Sequence, residues 1–241
     1  MKNKTILITG GTTGIGLATA QLLTAEGAKV IVTGRNPETL AAAQKKMPGV
    51  TVIKSDAASL SAAQSLGDEV KKHTDRLDGV FLNAGVAQFA PFEAMTPQQY
   101  DDMFNTNVRG PFFQLQSLLP LLGNPSTVVV TSSVAASLAI PTTSLYSATK
   151  AAVVSFGKTL AVELAPRGIR VNVLSPGPVD TPIINKVGIS DEGKEEFANQ
   201  TLLKRFGRAD EVAKLARFLL SDDSSFIIGE NAVIDGGVRL A

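Results

Sequence analysis

Seven short runs of apolar and β-branched residues recur along the chain, at 5–9, 29–33, 50–53, 79–82, 127–131, 169–174 and 232–234. Each has the length and composition of a strand buried on both faces. Between them, apolar positions fall at helical spacing over 15–26, closed by Gly27, then over 37–46, 59–74, 144–165 and 210–220. The stretch 96–122 is long enough for two helices. Strand and helix in alternation predict parallel strands joined by crossovers, with helices on both sheet faces. Right-handed crossovers make this a doubly wound α/β sheet of about seven strands, in the order 3-2-1-4-5-6-7. No linker, repeat or low-complexity tract interrupts the pattern, so 1–241 reads as one domain. The least regular stretch is 177–207, proline-broken at its start and charged in its middle. It lies just beyond a strand, at the edge where such sheets bind ligands, and is read as a mobile substrate lid.

Composition removes several alternatives. A chain of 241 residues buries an ample core without staples. It has no cysteine and one histidine, His73. That excludes a disulfide scaffold, a cysteine nucleophile and a multi-histidine metal site, and no metal is expected. The net charge is +1 with both signs interspersed, so neither nucleic acid nor a membrane surface is an expected partner. The opening MKNKTILITGG is too short in its apolar part for a signal peptide, and no apolar run spans a bilayer. A cytoplasmic protein is the expectation.

The first strand runs into Gly10-Gly11-Thr12-Thr13-Gly14-Ile15-Gly16, and a helix follows at once. Glycines there permit a tight turn and close approach of backbone to a pyrophosphate, and the helix N-terminus offers free N–H groups. The second strand ends at Gly34-Arg35, where a carboxylate would suit the ribose hydroxyls of NAD. Arg35 instead suits a 2′-phosphate. One charge-assisted hydrogen bond of about 1.5–3 kcal/mol favours NADP(H) over NAD(H) by roughly ten- to a hundredfold. Asp56 and Ala57 close the third strand, with Asp56 placed to accept from the adenine amino group. Asn83-Ala84-Gly85 closes the fourth and brings backbone near a ribose. Pro176-Gly177-Pro178-Val179 forms a rigid turn on which a flat nicotinamide would lie, with the Thr181 hydroxyl offered to its carboxamide or to a phosphate.

Tyr146 and Lys150 stand four apart in a helical segment and face the same way. An ammonium about 4 Å from a phenol contributes roughly 4 kcal/mol at an effective dielectric of about 20. That is enough to pull the phenol towards the working pH, as acid–base catalysis requires. Ser133, just past the fifth strand, is placed to donate to the substrate oxygen as charge develops on it. Tyr100 has no lysine four residues on and reads as packing, and His73 reads as solvated.

TGGTTGIG at 9–16, Asp56, NAG at 83–85, Asn107 in NTNV, Ser133, YSATK at 146–150, PG at 176–177, Thr181 and GENAVIDGG at 229–237 form an ordered set. In that order, over nearly the whole chain, the sequence resembles the short-chain dehydrogenase/reductase family. The resemblance implies a Rossmann-type sheet and a hydride transfer between a nicotinamide and a carbonyl or alcohol carbon. It implies catalytic roles for Asn107, Ser133, Tyr146 and Lys150. Lys150 would also bind the nicotinamide ribose, and a helix kink at Asn107 would free a carbonyl for a water linking Lys150 to solvent. A homo-tetramer is implied too, pairing through 96–122 and 144–165.

For the substrate, Val134, Ala135, Leu145, Val179, Ile183, Ile184, Phe89 and Phe92 are candidate pocket residues. Their apolar character points to a neutral ketone or aldehyde. A 3-oxoacyl-carrier-protein reductase is the alternative, with Lys186, Lys194, Lys204, Arg205 and Arg208 as a basic rim and Asp191, Glu192, Glu195 and Glu196 opposing it. A non-catalytic NADP(H) sensor need not keep the serine, tyrosine and lysine together. A sugar-nucleotide epimerase would need a larger C-terminal half and another glycine spacing.

Overall fold

The computed structural model describes residues 1–186, 188 and 190–241, with backbone alone at 185 and 186. The strands are β1 (Thr5–Thr9), β2 (Lys29–Gly34), β3 (Thr51–Lys54), β4 (Leu77–Leu82), β5 (Leu122–Thr131), β6 (Ile169–Pro176), β7 (Val179–Asp180), β8 (Gly207–Arg208) and β9 (Asn231–Ile234). The helices are α1 (Gly14–Ala25), α2 (Pro37–Lys46), α3 (Leu60–Lys71), α4 (Pro97–Phe104), α5 (Gly110–Leu118), α6 (Ser144–Leu164), α7 (Pro182–Lys186), α8 (Asp191–Asn199) and α9 (Ala209–Leu220).

Seven strands form one parallel sheet in the order β3-β2-β1-β4-β5-β6-β9, so the seventh strand expected from the sequence is β9. β7 and β8 pair separately and were not expected, because two residues each carry no readable periodicity. The long stretch 96–122 does hold two helices, α4 and α5, joined by a π-helical segment at Asn105–Arg109.

Strand periodicity explains why the runs are apolar throughout. In β1, Ile6 and Ile8 turn to one face and meet Ala20 and Leu23 of α1 and Val212, Ala216 and Leu219 of α9. Leu7 turns to the other and meets Leu66 and Val70 of α3, Leu115 and Leu118 of α5 and Val153 of α6. Each buried Ile, Leu or Val among them contributes roughly 1.5–3 kcal/mol on burial. With both faces covered, the carboxyl ends of the strands remain the open edge, and the candidate residues gather there. Among the described residues no helix is long and apolar enough to cross a membrane.

Candidate active site

The turn between β1 and α1 is built by clearances only glycine meets. Gly10 has φ +64°, and a Cβ there would lie 2.9 Å from the Ala84 Cα. A Cβ on Gly16 would run into the Gly10 carbonyl. Side chains cap α2, α3, α4 and α8 at Asn36, Ser59, Thr96 and Ser190. Thr13 at the start of α1 makes no such cap, and the first turn has no acidic residue, so its amides stay available to an anion. Gly10, Thr13, Gly14 and Ile15 face the open edge. Thr12 does not: it is buried, its hydroxyl 3.2 Å from that of Thr39.

Asn83 ties three strand ends together. Its N–H donates to Thr9 Oγ1 at 3.0 Å, its side-chain amide donates to the Thr9 and Gly10 carbonyls, each at 3.3 Å, and its Oδ1 accepts from Thr131 Oγ1 at 3.4 Å. The Ala84 N–H shares Thr9 Oγ1 at 3.1 Å. A Cβ on Gly85 would stand 3.3 Å from Asn107 Oδ1 and 3.4 Å from Lys150 Nζ, so the glycine keeps that approach open.

Asn107 lies in the π-helical segment and is buried. Its Oδ1 accepts from the Val86 N–H at 2.8 Å, and its Nδ2 donates to the Val86 carbonyl at 2.9 Å and to Thr149 Oγ1 at 3.1 Å. It thereby joins the β4 loop to α6 at the turn carrying Tyr146 and Lys150. Ser132 supports the same helix, its hydroxyl donating to the Lys150 carbonyl at 2.8 Å.

Lys150 Nζ donates to the Thr131 carbonyl at 3.1 Å and lies 5.7 Å from the centroid of the Tyr146 ring. Burial lowers its pKa to about 8. Burial raises Tyr146, and a hydrogen bond with Ser133 pulls it back in part. The sequence expectation that Lys150 would lower the phenol is corrected here. Desolvation of the phenol is the dominant cause, and the ammonium stands 5.7 Å from the ring centroid and is itself held by Thr131. The Phe89 ring meets the Tyr146 ring edge-on, with centroids 5.7 Å apart.

A cavity of about 590 Å³ unites these parts. Gly10, Thr13 and Gly14 line it together with Ser133, Tyr146 and Lys150 and with Pro176, Gly177, Val179 and Thr181. Thr181 sits against the phosphate turn, 3.4 Å from where a Gly14 Cβ would be. Of the apolar pocket candidates, Phe89, Val134, Ala135, Val179, Ile183 and Ile184 line the cavity. Leu145 and Phe92 do not: Leu145 packs into the core and Phe92 is 83% exposed. Ile140, Glu196, Phe197 and Gln200 also line it, and sequence reading did not name Ile140, Phe197 or Gln200 as pocket residues because no strand-end or helix-spacing signal marks them.

Three further expected cofactor residues, Arg35, Asp56 and Ala57, stand apart from this cavity, as Thr12 and Gly16 do. Arg35 and Asp56, just past the paired ends of β2 and β3, form an ion pair at 3.7 Å. Ala57 is buried under Gly110 of α5. The expected basic rim is largely neutralised. Lys194 lies 3.5 Å from Asp191, Arg205 2.8 Å from Glu211 and Arg208 2.9 Å from Asp210, while Lys204 donates to the Asn199 carbonyl. The Lys186 side chain lies outside the described residues. Tyr100 stacks on Phe104, as packing predicts.

The glycine clearances, the uncapped helix start and the open approach at Gly85 fit a dinucleotide laid along this edge. The chain's relatives agree. A family model described as enoyl-(acyl carrier protein) reductase matches residues 10–239. The oxidoreductase asL5 of Sarocladium schorii is 37% identical over 99% of this chain and 96% of its own. A 3-oxoacyl-(acyl-carrier-protein) reductase of Thermotoga maritima is 33% identical over 99% and 98%, and levodione reductase of Leifsonia aquatica 34% over 99% and 95%. Among solved structures, a short-chain dehydrogenase of Burkholderia cenocepacia in complex with NADP superposes with a TM-score of 0.89 at 31% identity, covering 99% of this chain and 98% of that one. A phenol, a serine and a buried lysine beside a glycine turn that fits a dinucleotide, in a chain that matches such relatives over nearly its whole length, place this protein in the short-chain dehydrogenase/reductase family of nicotinamide-dependent oxidoreductases that act on alcohols and ketones.

Proposed function

We propose that this chain uses NADP(H) to interconvert neutral, largely apolar ketones or aldehydes and their alcohols, with Tyr146 as the acid and base. One observation carries the reading: Tyr146, Ser133 and Lys150 share a cavity with the glycine turn of β1 and α1. The nicotinamide, when bound, supplies or accepts the hydride. In reduction Tyr146 gives its hydroxyl proton to the substrate oxygen, and Ser133 donates to that oxygen as charge builds on it. Lys150, protonated below about pH 8, stabilises the resulting phenolate and reaches the ribose hydroxyls. Asn107 would position Lys150 by holding Val86 and Thr149, and a carbonyl of the π segment would hold a water leading from Lys150 to solvent.

Gly10, Thr13, Gly14 and Ile15 would hold the pyrophosphate, with Thr12 and Gly16 shaping the turn. Arg35 would take the 2′-phosphate and Asp56 and Ala57 the adenine. Asn83, Ala84 and Gly85 would flank the ribose; Pro176, Gly177 and Val179 would carry the nicotinamide. Thr181 would reach a phosphate, since it lies against Gly14. The segment 177–207 serves as a lid within one domain, its Ile183, Ile184 and Phe197 covering the substrate.

Glu196 on the cavity wall, with Lys150 as the sole cationic side chain there among the described residues, disfavours an anionic substrate. The alternative, reduction of a carrier-bound 3-oxoacyl group, draws support from the Thermotoga relative. The pairing of Arg205 and Arg208 with Glu211 and Asp210 leaves that docking surface weak. The deciding experiment follows NADPH consumption with simple ketones and with a 3-oxoacyl carrier. Turnover of ketones that falls by about 10²–10⁴ in Tyr146→Phe is expected. A large preference for the carrier would overturn the substrate assignment. No turnover of either would favour a nucleotide-sensing role.

A homo-tetramer is part of this reading. Phe112 of α5 and Val162 of α6 stand 41% and 76% exposed, as residues awaiting a partner helix would.

A further inference from the structure

The arginine that would select the cofactor is already engaged. Arg35 Nη1 lies 3.7 Å from Asp56 Oδ1, and both side chains are about half exposed. Asp56 is fixed from behind, because the same Oδ1 accepts the Ala58 N–H at 3.0 Å. The neighbouring helix offers little compensation. The Glu38 and Thr39 amides at the start of α2 are taken by Asn36 Oδ1 at 2.8 and 3.1 Å, and Glu38 adds a negative charge to that turn. A phosphate arriving beside β2 therefore meets a self-capped helix start and a cation with an anion attached.

We propose that Asp56 sets the strictness of cofactor choice by competing with the 2′-phosphate for Arg35. The proposal rests on the assignment of that phosphate to Arg35. A phosphate at Arg35 must displace or crowd the Asp56 carboxylate, and NAD(H), with a hydroxyl there, need not. The pair thus weakens NADP(H) selectively and narrows the gap between the two cofactors. Any contact of Asp56 with the adenine is common to both, so the ratio of the two affinities isolates the effect at Arg35.

The test measures dissociation constants of NADPH and NADH by fluorescence titration in the full-length wild type, Asp56→Asn, Arg35→Ser and the double variant. Asn keeps the oxygen that accepts the Ala58 N–H, so the turn is retained while the charge is lost. Exposed ion pairs predict a rise of about two- to fivefold in the preference for NADPH in Asp56→Asn. The rise should shrink at high salt and disappear in the Arg35→Ser background. An unchanged ratio in Asp56→Asn, with a collapsed ratio in Arg35→Ser, would overturn the competition while leaving Arg35 in place. An unchanged ratio in Arg35→Ser would instead remove the assignment on which it rests. Parallel weakening of both cofactors in Asp56→Asn, with no change in ratio, would make Asp56 an adenine contact only.

Discussion

Lys150 is a buried cation held by a single carbonyl, and its position has two measurable consequences. Burial lowers its pKa from 10.5 to about 8, so the folded chain binds that proton less tightly than the unfolded chain. The ammonium therefore opposes folding in full below about pH 8. The penalty, on the order of 3 kcal/mol, is relieved as pH rises from about 8 towards 10.5. Lys150→Met is expected to unfold at a higher temperature than wild type at pH 7, less whatever the lost hydrogen bond to Thr131 contributes. The difference should narrow between pH 7 and 9.5, before Tyr146, raised by burial, begins to titrate. Calorimetry at the two pH values checks this, and a gap that does not respond to pH would contradict it. In the proposed catalysis the sign is opposite: kcat/KM for reduction should fall above about pH 8, as Lys150 loses the charge proposed to stabilise the phenolate.

At the scale of elements, the site depends on joints between strand ends and helix starts. Asn107 makes three hydrogen bonds from within the π segment, and no other described side chain bridges the β4 loop to α6 in the same way. Asn107→Ala would leave the Val86 amide groups unpaired in a partly buried place, at about 2–3 kcal/mol. A melting temperature lower by roughly 4–12 °C is expected, with kcat falling more than KM rises. Retained stability with full activity would show that the joint does not position Lys150. The β1–α1 turn is equally exacting. Gly16→Ala would drive a methyl into the Gly10 carbonyl and towards Asn83, so NADPH affinity should fall by at least tenfold in titrations.

For the whole molecule, the parallel sheet with two separate cores leaves its outer helices free to meet other copies. Phe112 packs against Phe156 with ring centroids 6.0 Å apart, which joins α5 and α6 into one outward apolar face. Sedimentation of the wild type should give a tetramer, and Val162→Asp should give smaller species with the far-ultraviolet spectrum unchanged. A monomeric wild type would leave those faces as surface.

Much of this is legible in the amino-acid sequence alone. Buried parallel strands must be apolar on both faces, so β1, β2, β4, β5 and β6 announced themselves as unbroken runs, and the fold followed from their alternation with helices. Tyr146 and Lys150 were legible as a pair because helical geometry brings residues four apart onto one face. Chain order is silent about what separate elements do to one another. It offered Arg35 and Asp56 as independent contacts, whereas parallel pairing of β2 with β3 sets them side by side. Ser132 lies in no motif, and Thr9 and Thr149 lie within TGGTTGIG and YSATK with no role of their own assigned by them; all three matter because strand ends and α6 converge on them. The protonation balance at Tyr146 was likewise undecided by spacing, since desolvation depends on everything packed around the phenol, and only the folded chain specifies that environment.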